Sequence, residues 1–542
     1  MVFNIEDLMI KEKKISDINK KPSANSFCSS KIVEFCNRTD LHGYKYIVMK
    51  DLNRFERSCW ALAVMVSLVI GIYFVVTAYR WYARNPIVTV IESTQAAIWD
   101  VPFPAVTICD LNLISRKAAQ NFARDVKRPE NVSEGLVFDA VRYAPLLHAS
   151  YTIPVEHKRV LYILQSILDF NDISVDDFFK KLSPVSTCNQ LIERCMWKNT
   201  LYRCNKLFRS VFTVQNMCCT FNYFAVHNTT DNDQYPRRVA SCGYQTALTV
   251  IVNTDPDDYY SAFVASQGAL VFIDDAYNMP DMDSPVRLMS PFTEVMIALS
   301  PERTYSTPGI KGFSPEQRQC YFIDEIKIGV FQQYSFHNCI IQQKVEYMKM
   351  TCRCVPFYFP TKDNYRVCNF YDIDCLESIL KINEFPNMED SGRKIQCLPE
   401  CEHFNYHFEV ALGTLSQNVH LNGHPFLDGL SLVNRSLLNV FFNDLVSTKY
   451  RRDVYLNWQN ILASFGGLLS LMLGFTLISG FDLILYTFGV LYSYMTHSVA
   501  KKNSRVKKDI SKEGAPEFYK KNAWQDNKLK TNTKGVRNLR RW

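Results

Sequence analysis

Two long apolar runs, far apart in the chain, limit what this sequence can fold into more than any other feature. Cys59 to Tyr79 (CWALAVMVSLVIGIYFVVTAY) carries no charged residue; Asn457 to Tyr494 carries one acid, Asp482, and no Lys or Arg. About 20 apolar residues cross a bilayer as a helix, so both runs read as membrane spans. The first lies behind a charged 57-residue leader, too far in for a cleaved signal peptide. The chain therefore divides into an N-terminal segment 1–57, a first span 58–79, an intervening segment 80–456, a second span 457–494 and a tail 495–542.

Cysteine places the intervening segment. Fifteen of the 18 cysteines fall between Cys109 and Cys401, and such crowding belongs in an oxidising compartment. The same segment holds three glycosylation acceptors, Asn131-Val-Ser, Asn228-Thr-Thr and Asn434-Arg-Ser. Charge agrees: residues 495–542 carry 14 Lys/Arg against 4 Asp/Glu, and 1–57 carry 11 against 8. Basic flanks stay in the cytoplasm, so both termini are expected inside and the middle outside. Because the basic residues flank a span, nucleic acid is not an expected partner, whereas membrane lipid is.

The second run is not a uniform anchor. Small residues stand at Ala463, Ser464, Gly466, Gly467, Ser470, Gly474, Thr476, Ser479 and Gly480. Helices that pack closely on copies of themselves, or expose backbone to a pore, need that pattern; an ordinary membrane helix with packing glycines is the alternative reading, since glycine is common in such helices. Upstream of the first span the leader reads as disordered as far as His42-Gly43, where a glycine can turn the backbone back toward the membrane.

Within 80–456, helix is expected over 160–182 and Cys339 to Thr351, and strand over Ala247 to Asn253, Ala269 to Ile273 and Tyr321 to Phe331. No repeat or long linker interrupts it, so one stapled α+β unit is expected. It holds no Gly-x-Ser-x-Gly elbow, phosphate-binding glycine loop or His-Glu-x-x-His, so no enzyme is expected. His403 with His407, and His420 with His424, are spaced by four, but on extended segments that spacing does not chelate a metal. Asp274, Asp275, Asp281 and Asp283 read as a solvated acidic loop.

Several motifs then converge: His42-Gly43, Phe103–Cys109 (FPAVTIC), Cys218–Asn222 (CCTFN), Cys397–Cys401 (CLPEC) and Phe465–Thr476 (FGGLLSLMLGFT). With the two spans and the cysteine-rich exterior, the chain resembles the epithelial sodium channel/degenerin family over about residues 40–495, and is most similar to its insect pickpocket branch. The resemblance implies a membrane α+β fold: two transmembrane helices and a large disulfide-rich extracellular domain with a β-rich core and peripheral helices. It also implies a homo- or heterotrimer with related subunits at the plasma membrane, its pore lined by the second span. Sodium ions are the expected cargo, amiloride the expected blocker, an extracellular ligand or force the expected stimulus, and no cofactor is implied.

By motif, the selectivity constriction falls on Gly474, Phe475 and Thr476, with threonine where the family has serine. The small gate ("degenerin") position falls on Ala463, and Asp482 stands where the family has a glutamate, as a cation-attracting acid. The implied disulfides are Cys109–Cys218, Cys188–Cys195, Cys320–Cys401, Cys339–Cys397, Cys352–Cys375 and Cys354–Cys368, leaving Cys204, Cys219 and Cys242 unassigned; a fifth thumb rung is lost at Gln343 and Ile395. Proton-sensing members pair carboxylates between thumb and finger. Asp257-Asp258 and Glu377 match in part, but Lys381 replaces the second thumb acid, and Ile87 and Val88 stand where histidines follow the first span. That argues against acid gating there. Other readings are an ATP-gated trimeric channel, whose triphosphate-binding basic cluster the sequence does not present, a two-pass scavenger or adhesion receptor without a pore, and a non-conducting modulatory subunit.

Overall fold

A computed structural model describes residues 24–510 except 85, 150, 227–234, 247, 362–364, 382–387, 391–392, 417–424 and 456–457. The sequon at Asn228, the pair His420 and His424, and the tail beyond 510 lie outside the described residues. The chain forms two compact units, one from its two ends and one from Asn85–Tyr455.

The end unit begins with helix α1 (Ala24–Arg38), in a leader expected to be disordered. It forms because its apolar residues find a partner: Cys36 is buried, and the Phe35 ring lies 5.3 Å from that of Tyr486. A one-turn helix, Tyr44–Val48, leads to α2 (Arg54–Arg84). At 1.5 Å per residue, 31 residues extend about 46 Å, more than a bilayer core.

In the cysteine-rich unit, chain order gives strands β1 (Ile87–Ala97) and β2 (Ala105–Asp110) and helices α3 (Arg116–Asp125), α4 (Glu134–Tyr143), α5 (Val155–Phe170) and α6 (Val175–Leu182). Strands β3 (Ile192–Trp197), β4 (Thr200–Tyr202), β5 (Phe208–Thr213), β6 (Asn216–Phe221), β7 (Leu248–Asn253), β8 (Ala269–Asp274), β9 (Val286–Met289) and β10 (Thr293–Ser306) follow. Helices α7 (Phe336–Cys352) and α8 (Ile373–Leu380) precede β11 (His403–Thr414), β12 (Arg435–Phe442) and β13 (Val446–Val454). The largest sheet runs β1-β13-β10-β12-β7-β3-β4, with β11 also paired to β10; a second, five-stranded sheet runs β9-β8-β2-β6-β5, and two short strand pairs lie outside both. The 14-residue β10 is the spine, parallel to β12 and β13 and antiparallel to β11 from Thr293↔Thr414 to Thr304↔His403.

Phe103 joins the two sheets. It is fully buried, with ring centroids 5.0 Å from Trp197, 6.0 Å from Phe221 and 5.4 Å from Phe442. The continuous apolar run behind it becomes β2, buried at every residue, as a strand covered on both faces must be. A second core lies among α3–α8 and includes Leu161, Leu164, Phe178, Val345 and Leu376.

Three local expectations change. The helix over 160–182 is two helices, separated where Asp172 takes φ 53° and Ser174 caps α6 by accepting the Asp177 N–H. Tyr321 to Phe331 is not a strand: Glu325 accepts the Phe322 N–H at 2.9 Å and binds buried Arg318, tying the segment into turns. The aspartates of 274–283 are a solvated loop only at Asp283, which is exposed. Burial pushes Asp275 up to about 7 and raises Asp274, while Lys344 of α7 holds Asp283 at 2.8 Å and Asp281 at 3.6 Å.

Seven disulfides staple the unit. Cys109–Cys218, Cys320–Cys401, Cys339–Cys397, Cys352–Cys375 and Cys354–Cys368 are bonded. Cys188–Cys195 is not; Cys188 pairs with Cys219, and Cys195 with Cys204. The β3–β4 hairpin causes this, placing Cys195 opposite Tyr202 and so beside Cys204, while Cys188 lies against β6, with its Cα 5.6 Å from that of Cys219. Cys242 keeps a free, half-buried thiol. Asn131 is exposed and Asn434 half-buried.

The second apolar run is two helices, α9 (Trp458–Leu473) and α10 (Leu477–Ile510), the latter continuing past 494 into the expected tail. The described helices long and apolar enough to cross a membrane are Arg54–Arg84 and Leu477–Thr496; Gln459–Leu473 is apolar but shorter.

Candidate functional site: the break in the second apolar helix

Gly474 ends α9 because it can take φ +67°, a left-handed conformation that costs most other residues energy. Its N–H returns to the Ser470 carbonyl at 2.9 Å, a common way to close a helix end. Thr476 starts α10: its Oγ1 accepts the Ser479 N–H at 3.1 Å and lies 3.0 Å from Ser479 Oγ. The threonine hydroxyl is therefore the N-cap of the next helix. Among the described residues, the Gly474 and Phe475 carbonyl oxygens accept no backbone hydrogen bond. Phe475 folds toward Gly480, where an added Cβ would stand 3.1 Å from its ring.

The His42-Gly43 pair packs on this break. The His42 N–H donates to the Leu473 carbonyl at 3.1 Å. A Cβ at Gly474 would lie 2.7 Å from His42 Cδ2, so the imidazole occupies the space that glycine leaves. Gly43 meets two demands at once: it takes φ +84°, and a Cβ there would stand 2.7 Å from Val64 Cγ2 of α2. Tyr46 stacks on Trp60 at 4.6 Å and seats the turn. From α2, Ser67 Oγ donates to the Met472 carbonyl at 2.6 Å, and Gly71 lets Met472 approach. Ser67 escaped sequence reasoning because a lone serine in an apolar run gives no signal.

Asp482 does not stand free. Its Oδ1 lies 3.1 Å from Arg38 Nη2, at the end of α1. On α9, Ala463, Gly466, Gly467 and Ser470 are exposed at i, i+3, i+4 and i+7, one face of a helix. A Cβ at Gly466 or Gly467 would meet nothing within 4 Å.

In the cysteine-rich unit, Glu377, which matches part of the family's acid pair, and its neighbour Asp374 meet lysines. Lys158 of α5 lies 2.5 Å from Glu377 and 2.6 Å from Asp374 of α8; Lys381 adds 2.5 Å to Glu377, and Tyr162 Oη donates to Asp374 at 2.6 Å. The Lys158 ammonium, then Lys381, hold the Glu377 carboxyl below the usual range, and Lys158 and Tyr162 do the same for Asp374. Asp258 is elsewhere, accepting the Lys117 N–H at 2.9 Å. Near it, burial pushes Asp110 up to about 7. His403 and His407 lie on β11, His407 beside Glu302 at 3.3 Å.

Chemically, a break that leaves two carbonyls without a backbone partner in an apolar helix can supply oxygens to a cation in place of part of its hydration shell, although here Gly474 is buried under His42 and the Thr476 hydroxyl is taken by its cap. Comparison with known proteins bears on the chain as a whole. The amiloride-sensitive sodium channel family matches residues 35–486, from α1 through the break to Tyr486. Sodium channel protein Nach of Drosophila ananassae is 26% identical over 478 residues, 86% of this chain and 89% of that one. Pickpocket protein 11 of Drosophila melanogaster is 21% identical over 454 residues (84% and 75%), and the bile acid-sensitive ion channel of Mus musculus 22% over 468 (85% and 88%). With the match spanning both apolar segments and the disulfide-rich unit between them, this chain belongs to the amiloride-sensitive sodium channel family of cation channel subunits.

Proposed function

We propose that the chain is one of three subunits around a plasma-membrane pore that prefers sodium, is blocked by amiloride and opens to an extracellular ligand or force. Both termini face the cytoplasm, the second apolar run lines the pore, and Gly474, Phe475 and Thr476 form its constriction. The observation that carries this reading is the break at Gly474, where two carbonyls have no backbone hydrogen-bond partner among the described residues inside an otherwise apolar run. Three copies would form a ring of such carbonyls. The exposed small face of α9 supports the assembly, because it lets helices approach closely. Ala463 on that face is the gate position, where a larger side chain holds the pore open. The names of the relatives, a sodium channel protein and a bile acid-sensitive ion channel, fit cation permeation.

The test is whole-cell recording from cells expressing the chain, alone and with Ala463→Val, alongside labelling of surface protein. Sodium-preferring current blocked by amiloride is expected. Unchanged selectivity after Gly474 and Thr476 substitution would overturn the constriction, and full surface expression without current from either form would overturn the pore.

A further inference from the structure

We infer that Arg38 is a built-in counter-cation of the pore's inner mouth, occupying the only carboxylate of the second apolar run and so setting how strongly that mouth attracts permeating and blocking cations. The inference rests on the pore reading above.

Asp482 is the single acid between Asn457 and Tyr494. A carboxylate in such a run is costly unless it meets water or a partner, and here it meets a partner. Its side chain keeps 33% of its exposure while Oδ1 contacts Arg38 Nη2 at 3.1 Å. The ion pair alone, with the arginine 63% exposed, would be weak in water. Its persistence comes from what holds α1. Tyr486, one turn beyond Asp482 on α10, donates its hydroxyl to the Lys31 carbonyl at 2.6 Å and packs its ring on Phe35. Four residues past Arg38, the His42 N–H is bound to Leu473. The segment is thus fixed on both sides of Arg38, and the guanidinium is presented to Asp482 without much further loss of freedom. The nearest other charges on α1, Lys31 and Glu34, satisfy each other at 2.6 Å. A cation reaching Asp482 must therefore compete with a tethered guanidinium, and each subunit offers the inner mouth a neutral pair in place of a free carboxylate.

The test uses the full chain carrying Ala463→Val, with single-channel recording and Mg2+ applied on the side that bears the N terminus. Arg38→Gln should uncover the carboxylate, raising conductance and Mg2+ affinity about two- to fivefold, the effect of one exposed ion pair. In Arg38→Gln/Asp482→Asn the increase should vanish, and the swap Arg38→Asp/Asp482→Arg should return both readings toward those of the parent. In parallel, Arg38→Cys/Asp482→Cys, with Cys28, Cys36 and Cys59 changed to serine, should be cross-linked by a short bismaleimide. Additive effects of Arg38→Gln and Asp482→Asn in a conducting channel, or failure of the cross-link, would overturn the inference and leave the pore standing. Absence of current from the surface-expressed parent and all variants would overturn the pore reading and this inference with it.

Discussion

Lys158 of α5 places its ammonium 2.5 Å from a carboxylate oxygen of Glu377 on α8, and the same nitrogen lies 2.6 Å from Asp374. A fixed cation on α5 thus ties that helix to two carboxylates of α8. Lys158→Met should loosen α5 from α8 and cost about 1–2 kcal/mol, less than a fully buried pair because Lys381 still faces Glu377. A lowered thermal midpoint and faster amide exchange in both helices would check this; unchanged exchange in α8 would count against the clamp.

The pH response of that clamp has a definite sign. Glu377 and Asp374 are held below their ordinary values, so their stabilisation is present above about pH 4 and is lost as pH falls through the lowered values. Lys158 is raised, so its share is lost only as the solution becomes strongly basic. Acidification from pH 7.4 to 5.5 should leave the amide protection factors of α5 and α8, taken against the intrinsic exchange rate at each pH, unchanged in the wild type.

Asp110 behaves oppositely. Its folded value near 7 lies above the ordinary carboxyl value of about 3.9, so the folded state holds a proton that the unfolded chain releases. Stability should therefore rise as pH falls from 8 to 5, with a slope approaching about 1.4 kcal/mol per pH unit for this group. Asp110→Asn, which keeps an acceptor for the Asn112 N–H, should flatten that slope and stabilise the protein at pH 8. Denaturant unfolding at stepped pH reads both effects.

Gly474→Ala should displace His42, because the new Cβ would enter the ring's space and the residue would still need φ +67°. The left-handed backbone alone costs about 1–2 kcal/mol. Adding His42→Ala should recover part of the loss by removing the ring but not the strained backbone. Selectivity and surface expression of the two variants separate those contributions; identical behaviour would mean the ring contact carries no weight.

Peptide mapping without reduction should recover Cys188 linked to Cys219 and Cys195 linked to Cys204, with Cys242 alone open to alkylation among the 15 cysteines from Cys109 to Cys401. Cys188→Ser should free Cys219 and, by opening a 31-residue separation, cost about 3 kcal/mol. Recovery of a Cys188–Cys195 peptide would contradict the fold of the β3–β4 hairpin.

What the sequence determined by itself is whatever follows from local composition and period. Both apolar runs, the strands over 248–253 and 269–274 and helix α7 were legible, because each depends on a run of residues and its immediate flanks; the split of the second run into two helices at Gly474 was not. Tertiary structure decided the pairings between distant segments. Nothing in their neighbours tells Cys188 to choose Cys219, Lys158 to reach α8, or Arg38 to meet a carboxylate 444 positions away. Burial decided as much: Asp274 and Asp275 read as loop residues until the fold removed their water and raised their carboxyls. Hydrophobic period is a property of a segment, whereas desolvation and ion pairing belong to the space that several segments enclose.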